Sequence, residues 1–151
     1  MLREARIYLA DSSKPAIVTA LHHNTAGLRY EQDKAIVVAG WRESLSLVTA
    51  LHSALERFSF PDRNLRDLKL SEWPAYRASS CQSVKKFESS YLRISVRPAN
   101  EAELLYIAEV KPLDESEISL CVTLNRNDDV KIGRLLLRLY DVCSRWSSVA
   151  L

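Results

Sequence analysis

Leu92-Arg93-Ile94-Ser95-Val96-Arg97, Leu104-Leu105-Tyr106-Ile107-Ala108-Glu109-Val110 and Ile118-Ser119-Leu120-Cys121-Val122-Thr123-Leu124 are three consecutive segments with a period of two. In the first, Leu92, Ile94 and Val96 share a face against Arg93, Ser95 and Arg97. In the third, Ile118, Leu120, Val122 and Leu124 oppose Ser119, Cys121 and Thr123. Alternation of this kind predicts strands, because successive side chains leave a strand on opposite sides. The connections Pro98 to Glu103 and Lys111 to Glu117 are short enough for antiparallel hairpins. The period then becomes helical. Ile132, Leu135, Leu136, Leu139, Tyr140, Val142, Cys143 and Trp146 cover one broad face, so a deeply packed closing helix is expected. Asn127 is expected to cap it, with Asp128 and Asp129 in the first turn, where the helix dipole favours negative charge. Gly133 costs about 1 kcal/mol against alanine inside a helix, and a close approach to a neighbouring sheet would account for it.

Toward the N-terminus, Trp41, Leu45, Val48, Leu51, Leu55 and Phe58 recur at steps of three and four and predict a helix over Trp41 to Phe58, stopped at Phe60-Pro61-Asp62. Between this helix and the three strands, Leu65, Leu68 and Leu70 are candidates for a helical turn. Ser71 can cap a short helix from Glu72 to about Arg77. At the start of the chain, Glu4 to Ala10 alternates, with Ile7 and Leu9 opposed to Arg6 and Tyr8. Ala16 to His22 resumes after a Ser12 to Pro15 turn, and Leu28 to Glu31 is a short strand after a second turn at Asn24 to Gly27. Lys34 to Ala39 is an uninterrupted apolar run, expected to be a strand buried on both faces. The order predicts an α+β fold: a mostly antiparallel sheet, two principal helices packed on it, and a short helical segment between the halves. A single domain over residues 1–151 is expected, and both halves end strand-then-helix.

The 151 residues are 47% hydrophobic and 26% charged, which is the balance of a globular protein. A net charge of +2 advertises neither a nucleic-acid nor a membrane surface. Gly27, Gly40 and Gly133 are too far apart for a phosphate-cradling loop. Cys81, Cys121 and Cys143 form no C-x-x-C pair and have no histidine at zinc spacing, so reduced thiols and a reducing compartment are expected. The charged N-terminus lacks a signal-peptide core, and no apolar run approaches the ~20 residues that span a bilayer. The expectation is a cytoplasmic chain with no cofactor, no metal, no membrane partner and no catalytic residue.

Adjacent His22 and His23 on a strand point to opposite faces and are read as one core-edge and one exposed residue. His52 lies beside the apolar stripe and is read as a packing residue. Cys81, near Lys85 and Lys86, is the one thiol placed among cations, but no base is identifiable for it. Asp114, Glu115 and Glu117 form an acidic hairpin turn that would suit a basic partner. Lys131, Arg134, Arg138, Asp141 and Arg145 step along one face of the last helix, and Asp141 can pair with Arg138 and Arg145 at that spacing. With Arg93, Arg97 and Tyr91, these basic residues are the candidates for a nucleic-acid-binding module, the alternative function.

The closing segment, Asp128-Asp129-Val130-Lys131-Ile132-Gly133-Arg134-Leu135-Leu136-Leu137-Arg138-Leu139 and on to Ser144-Arg145, resembles the last helix of the contact-dependent growth inhibition immunity proteins of bacteria. Ala50-Leu51-His52-Ser53-Ala54-Leu55 followed by Phe58 is similar to that family's earlier helix. Trp73-Pro74-Ala75-Tyr76-Arg77 and Val96-Arg97-Pro98 fall in matching order. The resemblance runs from Trp41 to the end. It implies a non-enzymatic protein that binds and neutralises a cognate toxin domain, with no catalytic residue to carry over. Asp114, Glu115 and Glu117 are then the first candidates for the toxin contact, followed by Arg93, Arg97, Arg134 and Arg138.

Overall fold

The computed structural model describes residues 3–23, 27–43, 45–58, 73–112 and 116–147. The fold is α+β. Seven strands form one antiparallel sheet: β1 (Ala5–Leu9), β2 (Ala16–His23), β3 (Arg29–Glu31), β4 (Ile36–Val38), β5 (Leu92–Pro98), β6 (Glu103–Val110) and β7 (Ile118–Asn125). The spatial order is β3-β2-β1-β5-β6-β7, with β4 also paired to β2. Leu21 pairs with Glu31, while Ala16 pairs with Val38. Strands β3 and β4 therefore follow one another along the same edge of β2.

Among the described residues there are also four helices: α1 (Ser46–Glu56), α2 (Pro74–Ser79), α3 (Val84–Ser90) and α4 (Asp129–Trp146). Helices α1 and α4 lie side by side on one face of the sheet, α1 over β1, β2 and β4, and α4 over β5, β6 and β7. Each half is thus a set of antiparallel strands followed by a helix on the same face. The halves join where Ile7 pairs with Ile94. The main core lies between sheet and helices and includes Ile7, Leu9, Val18, Leu51, Ile94, Tyr106, Ile132 and Leu136. On the other face, α2 and α3 close a smaller core of Tyr8, Ile17, Ala75, Phe87 and Tyr91. Strand β1 is therefore covered on both sides, as its opposed Ile7–Leu9 and Tyr8 faces require.

The three strands of the second half and the closing helix match the expected alternation and period. Strands β1, β2 and β3 also fall where the alternation placed them. Other features differ. The Lys34–Ala39 run yields only β4, on the edge of the sheet, and Val37 is 51% exposed. Helix α1 begins at Ser46, not Trp41. Trp41 is buried from a turn, and Leu45, expected on the apolar stripe, is 53% exposed. The cap of α4 is Asp128, whose carboxylate accepts from the Lys131 N–H at 3.1 Å, not Asn127. Gly133 faces α1 rather than the sheet: a Cβ there would sit 3.6 Å from Leu45 Cδ2 and 3.7 Å from Val48 Cγ2. Helix α3 was not expected. Its one buried residue is Phe87, so it leaves no apolar period, although Ser83 caps it through the Lys86 N–H at 3.1 Å. Pro61, Leu65, Leu68, Leu70 and Ser71 lie outside the described residues.

Candidate functional site

The seam between α1 and α4 is fastened at both ends. His52 Nε2 meets Asp129 Oδ1 at 2.9 Å, and Arg42 pairs with Asp141 at 3.4 Å. The two helices consequently run antiparallel. Asp141 is held by Arg42 from the preceding turn, not by the Arg138 or Arg145 expected from helical spacing. The Arg42 guanidinium also lies over two rings, 4.9 Å from the Trp41 centroid and 4.8 Å from that of Tyr140, which themselves meet edge-on at 5.6 Å. Cation–π contact and ion pair together fix the arginine in one place.

Beside this stack, the seam opens into a groove of about 250 Å³. Its walls include Trp41, Leu45 and Val48 from one side and Val130, Arg134 and Leu137 from the other. Leu45 and Val130 are each 53% exposed. Gly133 forms part of the floor, so the small residue widens the groove where the helices approach. The site is apolar at its centre, with Arg42, Glu43 and Arg134 at its rim and the Trp41–Arg42–Tyr140 stack alongside.

The expected partner-binding residues fall in three places. Arg134 lines the groove, and Arg138 is exposed one turn further along α4; neither makes an ion pair among the described residues. Arg93 and Arg97 are on the opposite side of the sheet, because Ile94 and Val96 take the face that α4 covers. Arg93 is half-buried and donates to Glu109 at 2.7 Å, and Arg97 is exposed. The two basic groups are therefore separated by the thickness of the sheet and helix layer. Glu117 is exposed beside Lys111, at 3.8 Å, while Asp114 and Glu115 lie outside the described residues.

Two buried carboxylates were not singled out in the sequence. Glu31 is 4% exposed and accepts from Tyr8 Oη at 3.1 Å and from Trp73 Nε1 at 2.6 Å. Burial raises its carboxyl above the ordinary range, against the opposing pull of Arg6 and of these donors. This contact ties the entry to α2 onto the second face of the sheet. Glu4 is also buried, which by itself would raise its carboxyl; hydrogen bonding from the Arg29 guanidinium and the nearby His23 hold it below the ordinary range instead. Of the histidine pair, His23 is the buried one, edge-on to Phe58 at 5.1 Å, and His22 stacks beside Tyr30 at 5.2 Å. Cys81 is half-buried against the smaller core, Cys121 is exposed on β7, and burial lifts the Cys143 thiol to about 11.

No protein-family model matches the chain, and no curated protein matches it significantly. Among solved structures, it is similar to a protein of unknown function from Neisseria meningitidis, at 12% identity and a TM-score of 0.67. The likeness covers 95% of this chain and 96% of that one. At that identity it shows a shared fold. No helix of the described residues is long and apolar enough to cross a membrane.

Proposed function

We propose that this chain is a non-enzymatic immunity protein that acts in the cytoplasm by binding and neutralising a cognate contact-dependent growth inhibition toxin domain. The observation that carries the reading is the groove between α1 and α4. It is built from the two helices that bear the family resemblance, and it leaves Leu45 and Val130 uncovered beside a rigid Trp41–Arg42–Tyr140 stack. Binding energy at protein interfaces concentrates in tryptophan, tyrosine and arginine around a desolvated apolar centre. This groove offers Arg42 and Arg134 around an apolar centre of Leu45 and Val130, with Trp41, 3% exposed, packed beneath. Tight occlusion of a toxin would follow from burying the apolar centre, with Arg134 and Arg42 at the rim contributing specificity and association rate.

The test is co-expression with the toxin domain encoded beside this gene. The expected results are co-purification and rescue of growth. Leu45→Asp and Val130→Asp place a charge in the groove on already exposed positions, so folding should survive while affinity falls by about 100-fold or more. A toxin domain that neither binds the wild-type protein nor is neutralised by it overturns the reading.

A further inference from the structure

The two edges of the sheet are unlike. On one, β3 and β4 are three residues each and are interrupted between residues 31 and 36. That is how sheets discourage strand addition. The other edge is β7, eight residues long, with neither a proline nor a charged side chain. It pairs with β6 along its whole length, from Val110↔Ile118 to Glu103↔Asn125. No strand lies on its outer side among the described residues.

The apolar layer also ends uncovered there. On β6, the core-facing Leu104, Tyr106, Ala108 and Val110 are at most 3% exposed. Their neighbours Ile118, Leu120, Val122 and Leu124 on β7 are all only half-buried. Helix α4 roofs this strip from one side. Gly133 and Tyr140 turn toward α1, so helical periodicity puts residues 131, 135, 138, 142 and 146 on the opposite flank, above β7. Leu135 and Trp146 there are half-buried, and Val142 is 38% exposed. Strand edge and helix flank together form a shelf with unpaired backbone groups on one side and apolar side chains on the other.

We propose that this shelf receives an extended, acidic segment of the partner protein, which adds to β7 as a further strand. The charge on the flank selects the occupant. Lys131 and Arg138 overhang the shelf, with Arg145 at its margin; Lys131 is paired with Asp128 at 3.3 Å, so Arg138, which makes no ion pair among the described residues, carries the selection. A second copy of this chain, paired β7 to β7 about a two-fold axis, would bring the two α4 flanks together. Arg138 would approach its own copy, an arrangement of like charges. A strand with carboxylates on its α4-facing side meets the same groups favourably, while its main chain completes the ladder. The inference rests on the reading of the chain as a protein-binding protein, but concerns a surface separate from the groove.

The test uses the full chain and two twelve-residue peptides. Both carry threonine at alternate positions. The remaining positions alternate valine with glutamate in one peptide and valine with lysine in the other. The glutamate peptide is expected to shift the β7 amide resonances and slow their exchange. The lysine peptide should bind about tenfold more weakly or less, and Arg138→Glu should cost the glutamate peptide about tenfold. Added salt should weaken the complex. Unchanged β7 amides at millimolar peptide, or equal binding of the two peptides, overturns the proposal. So does a dimer of the free protein that mild oxidation locks through the exposed Cys121 and that Cys121→Ser abolishes, because the occupant is then a second copy. Peptide docking with a toxin domain that fails to bind sinks the functional reading alone. A toxin domain that binds while β7 exchange stays unchanged sinks this proposal alone.

Discussion

Glu31 keeps a carboxyl out of water with two neutral donors and two cations that form no ion pair with it. Arg6 and Arg93 act on it from β1 and β5, Tyr8 and Trp73 donate to it, and no cation forms an ion pair with it among the described residues. Its folded-state pKa is raised, so the native protein holds the proton more tightly than the unfolded chain does. The stability this confers is complete below the unfolded value of about 4.3 and is lost as pH rises through the folded value. Glu31→Gln should remove that slope. Urea midpoints from pH 4 to pH 8 should fall for the wild type relative to the variant, and parallel curves would count against the assignment. Tyr106 poses the opposite case. Its hydroxyl is buried with no hydrogen-bond partner among the described residues. Tyr106→Phe should leave stability unchanged or raise it by about 1 kcal/mol in urea unfolding; a clear loss would mean that the hydroxyl has a partner. Strand alternation correctly placed Tyr8 on the face opposite Ile7. Glu31 was not legible, because its contact with Tyr8 depends on the register of three strands, and a three-residue strand has too little period to announce its own face.

At the scale of the element, β5, β6, β7 and α4 were readable because each is long and has one face covered and one open, the condition under which side-chain period reports burial. The Lys34–Ala39 run broke that link. Its apolar content reflects a single short strand whose Val38 is buried while Val37 points out. Helix α3 gave no signal because a two-turn helix over a small core needs only Phe87. Gly133 is the element-scale prediction. The space above it is ordinary van der Waals contact, and its backbone is helical, so alanine fits without displacement. Gly133→Ala should stabilise the protein by about 0.5–1 kcal/mol, read as a higher urea midpoint at unchanged slope. It should also narrow the groove floor by one methyl group. A loss of stability would show that α1 and α4 lie closer than described.

The whole molecule is two strand-and-helix halves sharing a sheet. Both halves end strand-then-helix, as the sequence order suggested, but the first carries two short strands on the outer edge of β2 where the second carries the single β7. What the pattern did not contain is which exposed faces end up together. Each basic group could be assigned to a face of its own element, yet Arg93 and Arg97 stand behind the sheet from Arg134 and Arg138. The groove itself came from Leu45, which the helical period placed on the apolar stripe, and from Val130, which that period did not single out. Because the halves meet along β1 and β5, a cavity at that ladder should weaken both together. Ile94→Ala, at a position with no exposure, should cost about 2–5 kcal/mol. Circular dichroism and tryptophan fluorescence should still report one coincident transition; two separated transitions would show that the halves unfold independently. The same central ladder sets a timetable for synthesis. Strand β1 leaves the ribosome first, but Leu9 must wait for Leu92 to complete its pairing. At about 5–20 residues per second, that wait is roughly 4–17 s. Throughout it, a newly made first half presents the bare edge of β1, a strand covered on both faces in the finished protein, to every other nascent chain nearby, and yield in the cell depends on how fast translation closes that interval.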